Sequence, residues 1–221
     1  MIPLYDENPT ERFPWFTLIL IGVNIYIFFV GVTGSGDAAS LFVHYGLIPY
    51  QVTHFPAQAY PHFFSAMFLH SGIMHLAGNM LYLWIFGNNI EDVLGKTRFL
   101  LFYFLCGVIA ALCHVSADWE SQIPMVGASG AISGILGAYL ILFPSAKVKT
   151  LVFLGFFITI IRIRAWILLV LWIGFQVFSN LAMGSDGGGV AWLAHIGGFL
   201  AGMLLILPFK TSLGPRPQLG I

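Results

Sequence analysis

The chain has 221 residues, 58% of them hydrophobic and only 8% charged, with nine Lys and Arg against nine Asp and Glu. Soluble domains carry about 25% charged residues, so this chain lacks the polar side chains for a water-facing surface and needs a bilayer as solvent. Zero net charge argues against a nucleic-acid partner, and the length leaves room for one domain, residues 1–221, without a sizeable soluble module.

The first long apolar run is Phe13–Val32. Acids Asp6, Glu7 and Glu11 precede it with a single Arg12, and small residues follow it from Gly34 to Ala39. A cleaved signal peptide would want a basic start, so an uncleaved first span is expected. Gly34–Gly72 then forms a long connection, with Pro49, Pro56 and Pro61 among many aromatics. It is too Pro-broken to span and too apolar to be solvated, so it is expected to fold back onto the membrane interface.

Five more runs follow: Ile73–Ile90, Phe99–Val115, Met125–Phe143, Ala165–Leu181 and Val190–Phe209. None of the six contains Lys, Arg, Asp or Glu. Each has the length, about 17–20 residues, that crosses a hydrocarbon core roughly 30 Å thick, and helices satisfy their own backbone there. The expected fold is all-α, with six transmembrane helices. Cys106 and Cys113 lie too far apart on one helix for a disulfide and read as packing residues. Leu151–Ile161, flanked by Lys147, Lys149, Arg162 and Arg164, is too short to cross and reads as an interfacial or re-entrant cytoplasmic segment.

Charge orients the chain. Every Lys and Arg falls in the N-terminal segment, the second loop, the fourth loop or the C-terminal tail. With six spans these four lie on one face, which the positive-inside rule makes cytoplasmic, termini included. The opposite face carries only Asp37, Asp118, Glu120 and Asp186.

Polar residues at membrane depth then stand out. His75 and Asn79, spaced i, i+4 on one helix face, begin the second span, Ser129 the fourth and His195 the sixth. All three spans run inward, so the four residues share the outer third of the bilayer. Gly198 and Gly202 follow His195 on a seam that permits close helix contact, and the fourth span is rich in Gly and Ala. A serine hydroxyl needs a neighbouring base to act as nucleophile, and histidine suits that task near neutral pH. His75, Asn79 and the Ser129 backbone N–H are candidate donors to an oxyanion. No span holds a carboxylate, so a Ser–His dyad without an acidic third member is expected. Ser133 and Ser179 read as packing serines or as bonded to the i−4 carbonyl.

Two other functions compete. His70, His75, His114 and His195 could approach one another near the outer face, but no His-Glu-x-x-His occurs and no carboxylate lies at that depth, so no metal is expected. A transporter gains no support from internal repeats or intramembrane acids.

At these residues the chain resembles the rhomboid family of intramembrane serine proteases. Gly127-Ala128-Ser129-Gly130 matches the family's GxSG, and Ala194-His195 with Gly198 and Gly202 matches AHxxGxxxG. His75-Leu76-Ala77-Gly78-Asn79 matches HxxxN, preceded by Met67-Phe68-Leu69-His70. The resemblance runs from about Tyr45 to Gly202. It implies a rhomboid-like bundle that cleaves transmembrane segments of single-span membrane proteins within the lipid bilayer, without a cofactor. Ser129 would be nucleophile, His195 general base and acid, and His75 and Asn79 oxyanion donors. It leaves His70 and Glu91 outside the catalytic set. Many bacterial members carry Trp-Arg in the first outer loop, and residues 34–72 contain neither. A non-catalytic relative would lack Ser129 or His195, and both are present. The short N-terminal segment without a basic presequence points to a bacterial plasma membrane, with the site facing the periplasmic or extracellular side. Glycine-rich Met183–Gly189 is expected to be a mobile cap that admits substrate.

Overall fold

The computed structural model describes residues 1–34, 38–155, 157–183 and 191–210, most of them helical. Strand β1 (Ile2–Asp6) precedes α1 (Trp15–Gly34). The long connection after α1 coils into short helices, α2 (Ala38–Tyr45), α3 (Pro49–His54), α4 (Pro56–Ala59) and α5 (His62–Ser65). Pro49 and Pro56 open α3 and α4 at the first helical position, where a missing N–H sacrifices no hydrogen bond. Next come α6 (Ile73–Tyr82), a π-helical turn over Leu83–Gly87, α7 (Asn88–Leu94), α8 (Lys96–Ala117) and α9 (Ser129–Leu142). Strands β2 (Lys147–Leu154) and β3 (Phe157–Arg164) lead to α10 (Ala165–Met183), α11 (Trp192–Leu205) and α12 (Leu207–Lys210).

Among the described residues, Lys96–Ala117 and Ala165–Ala182 are long and apolar enough to cross a membrane. Trp15–Gly31, Ser129–Leu142 and Trp192–Leu205 are apolar but shorter. The fourth run begins its helix at Ser129 rather than Met125 for a local reason. Met125 exchanges two backbone hydrogen bonds with Leu47, at 2.8 and 3.0 Å, and Gly127 donates to the Ala66 carbonyl at 2.9 Å. Gly127 itself adopts φ +125°, a conformation open to glycine and not to a helix. The first long connection thereby keeps the chain out of the helix as far as Gly127.

The all-α expectation needs one correction. Leu151–Ile161, expected to be an interfacial or re-entrant segment, is a hairpin of β2 and β3 in a three-stranded antiparallel sheet, ordered β1-β2-β3. The segment is dense in Val, Ile, Thr and Phe, which fit a pleated surface better than a helix, and Gly155 at φ +62° begins the turn. In the register, Lys147 faces Arg164 and Lys149 faces Arg162. Like charges opposite one another repel. Glu7 relieves the second pair, with its carboxylate 2.8 Å from Arg162 and 3.8 Å from Lys149.

Helix α9 is central, packed between α8 and α11. A Cβ at Gly198 would run into the Gly130 carbonyl, one at Gly202 into the Gly134 carbonyl, and one at Gly137 into the Phe199 carbonyl. Backbone therefore meets backbone along the α9–α11 seam. Cys106 and Cys113 are free thiols on α8 that fill the space beside Gly134 and Gly197.

The bundle end away from Ser129 is tied by acids to the N-terminal segment. The Glu91 carboxylate accepts from the backbone N–H groups of Phe16 and Thr17 at 3.0 and 2.8 Å and from the Thr17 hydroxyl at 2.8 Å. These are orphan donors at the start of α1, where a negative charge also meets the helix dipole. Asp92 accepts from the Glu11 and Arg12 N–H groups at 3.1 Å each. Asp6 accepts from the Tyr139 hydroxyl at 2.6 Å and from the Asn89 amide at 2.9 Å.

Burial pushes the Asp6 carboxyl up to about 6 from 3.8, against the lowering effect of its Tyr139 and Asn89 hydrogen bonds. A folded-state value above the unfolded one makes a contribution fully present below the unfolded pKa and lost as pH rises through the folded one. Purified protein should therefore lose on the order of 1–2 kcal/mol of stability between pH 4 and 7, and Asp6→Asn should remove that slope. Parallel melting curves for parent and variant across this window would contradict the assignment.

Candidate active site

Ser129 is the first residue of α9, after the positive-φ Gly127 and the fully buried Ala128. His195 sits one turn into α11. The glycine seam sets these helices so close that Ser129 Oγ lies 2.8 Å from His195 Nε2. The other ring nitrogen, Nδ1, lies 2.7 Å from the Gln176 side-chain oxygen. An amide oxygen only accepts, so this contact suits the tautomer with the proton on Nδ1 and the Nε2 lone pair facing the serine. Trp172, four residues before Gln176 on α10, places its ring centroid 5.8 Å from that of His195. Trp192 contributes an edge-on ring at 6.4 Å.

His75 lies across the serine loop. Its Nδ1 is 3.0 Å from Ser71 Oγ and 3.4 Å from the Ser71 backbone nitrogen. A backbone N–H only donates, so Nδ1 accepts and Nε2 carries the proton. A Cβ on Gly127 would stand 2.8 Å from His75 Cε1 and 2.9 Å from Nε2, so the ring rests against the backbone leading into Ser129. Only glycine fits there. Asn79 is buried one turn further along α6, with its amide donating to the His75 carbonyl at 3.1 Å. A primary amide has a second N–H to offer.

The four residues expected from the sequence line one cavity of about 790 Å³, together with Trp172 and Gln176. Ser133 donates to the Ser129 carbonyl at 2.6 Å, the i−4 bond expected of it. The His70 and His75 rings approach to 5.1 Å. Among the described residues, no group of three or more His, Cys, Asp or Glu is placed to hold a metal ion. Beyond Met183, the segment expected to form a cap lies outside the described residues.

Gln176 was not among the expected site residues. It is only 5% exposed, and the signal for it was available: an amide near the outer end of the fifth run, at the depth of the other four.

The family model for the Rhomboid domain matches residues 57–211. The chain is 34% identical over 205 residues to the Rhomboid protease GluP of Bacillus subtilis, covering 92% of this chain and 37% of that protein. It is 30% identical over 149 residues to Rhomboid protein 1, mitochondrial, of Saccharomyces cerevisiae, covering 62% of this chain and 38% of that protein. Rhomboid-related protein 2 of Mus musculus is 32% identical over 142 residues, covering 64% of this chain and 45% of that protein. The chain thus spans less than half the length of these relatives. The family is integral to membranes. Since its model covers most of the chain, and the similarity to the Bacillus subtilis protein extends over nearly all of it, this chain belongs to the rhomboid family.

Proposed function

We propose that this chain is an intramembrane serine endopeptidase that hydrolyses peptide bonds in the transmembrane segments of single-span membrane proteins. The observation that carries the reading is the 2.8 Å approach of Ser129 Oγ to His195 Nε2 inside a cavity walled by apolar helices. In this reading six helices span the bilayer with both termini cytoplasmic, and the site opens toward the periplasmic or extracellular side of a bacterial plasma membrane. The distribution of Lys and Arg supports that orientation.

The reaction follows from the donors and acceptors. As Ser129 Oγ bonds to the scissile carbonyl carbon, its proton passes to His195 Nε2. The carbonyl oxygen gains the negative charge and receives hydrogen bonds from His75 Nε2–H, the Asn79 amide and the Ser129 backbone N–H. That N–H has no intrahelical acceptor at the first turn of α9. The tetrahedral species collapses with cleavage of the C–N bond, and Nε2–H protonates the departing amine. A water then gives its proton to Nε2, attacks the acyl ester and releases the carboxylic acid, and the proton returns to Ser129 Oγ. One water is consumed for each peptide bond broken.

Liposomes holding the protein and a single-span reporter with Gly, Ala and Ser near the outer face provide the test. The parent should cut the reporter within that segment. His75→Ala and Asn79→Ala should each lower kcat by about 100-fold, the loss typical of one oxyanion donor. An intact reporter would sink the proposal; parental rates in both variants would remove these two residues from the oxyanion site.

A further inference from the structure

We propose that Gln176 is a positioning residue, holding His195 in the one tautomer that can accept the serine proton. The inference rests on the hydrolase reading above and adds a third side chain to the dyad. Gln176 projects from α10, is almost fully buried, and meets Nδ1 at 2.7 Å on the side of the ring opposite Ser129.

An imidazole in an apolar cavity has two neutral forms of similar energy, and only the Nδ1–H form leaves Nε2 free to act as base. A fixed acceptor beside Nδ1 selects that form. It also stops the ring from turning away from Ser129, while Trp172 and Trp192 restrict its tilt. The other titratable side chains lining the cavity are His75, Tyr82 and His114. Among the described residues none is a carboxylate, so no anion there competes for Nδ1. The choice of an amide follows from depth. A carboxylate here would have to be stripped of water inside the bilayer, whereas an amide oxygen orients the ring without adding charge. The same contact persists once Nε2 is protonated, since the imidazolium still donates through Nδ1.

The test pairs kinetics with a signal that does not depend on turnover. In the reporter assay, Gln176→Leu should reduce kcat roughly 100-fold, near the low end of what a positioned proton-transfer group contributes, with KM unchanged. Gln176→Glu, neutral in this desolvated cavity, keeps a carbonyl acceptor at the same reach and should recover most of that loss. In micelles, 15N-histidine spectra of the parent should show His195 as the Nδ1–H tautomer, identified by the resonance missing from His195→Ala. Gln176→Leu should shift this signal toward a tautomer mixture. A parent ring protonated on Nε2, or an unchanged tautomer and kcat in Gln176→Leu, would overturn the inference. Equal losses in the Leu and Glu variants would also overturn it, since that pattern marks a packing role. Failure of the parent to cleave would reject the proposed function, while the tautomer signal would still decide the role of Gln176.

Discussion

Ser129→Ala and His195→Ala should each lower reporter cleavage by at least about 10⁴-fold, and the double variant should be no slower than either alone. The two side chains share one proton at 2.8 Å. Without the hydroxyl there is no atom to form the acyl ester, and without Nε2 the hydroxyl stays protonated in an apolar cavity. Groups that act as a unit give non-additive losses. Additive losses, or cleavage within tenfold of the parent in either single variant, would show that the pair does not work as a dyad.

Gly202→Val should abolish detectable cleavage although it removes no reacting group. A Cβ at Gly202 would overlap the Gly134 carbonyl, and backbone cannot give way as a flexible side chain can. Helices α9 and α11 would have to separate. A displacement of about 1 Å at a reacting pair is worth on the order of 100-fold in rate, and a branched side chain demands more. Overpacking of this kind also destabilises by about 1–3 kcal/mol, readable as a lower melting temperature in detergent. Gly174 on α10 supplies the contrast, because a Cβ there meets nothing within 4 Å. Gly174→Ala should cleave at the parental rate. If Gly202→Val matched it, the tight α9–α11 seam would not be what brings serine and histidine together.

These expectations show which features could be read from the residues. Ser129, His195, His75 and Asn79 stood out because polar groups are expensive at membrane depth, and because charge asymmetry assigned all four to one depth. Gly198 and Gly202 pointed to the faces that meet. Gln176 meets the same depth criterion, but the third member of a serine–histidine site is ordinarily a carboxylate, and no span holds one. In an apolar site a neutral amide does the orienting at lower desolvation cost.

The sheet is hidden in the sequence for a different reason. An apolar run of eleven residues is too short to cross the bilayer, and its β-branched composition is the local sign of strands. Pairing decides the outcome, since β1 ends at Asp6, far before the hairpin opens at Lys147, and aligns Ile2 with Leu151 and Asp6 with Val148. Long-range partners of that kind leave no local signal. The late start of α9 is similar, fixed by Leu47 and Ala66 in the first long connection. That connection positions the nucleophile from outside its own helix.

Covalent labelling tests the central claim most directly. A serine-directed fluorophosphonate incubated with the reconstituted protein should modify Ser129, identified by mass spectrometry of the labelled peptide. Ser129→Ala should take up no label and His195→Ala very little, because the nucleophile loses its base. Labelling that persists in Ser129→Ala, or a parent that remains unmodified while it cleaves the reporter, would contradict Ser129 as the nucleophile.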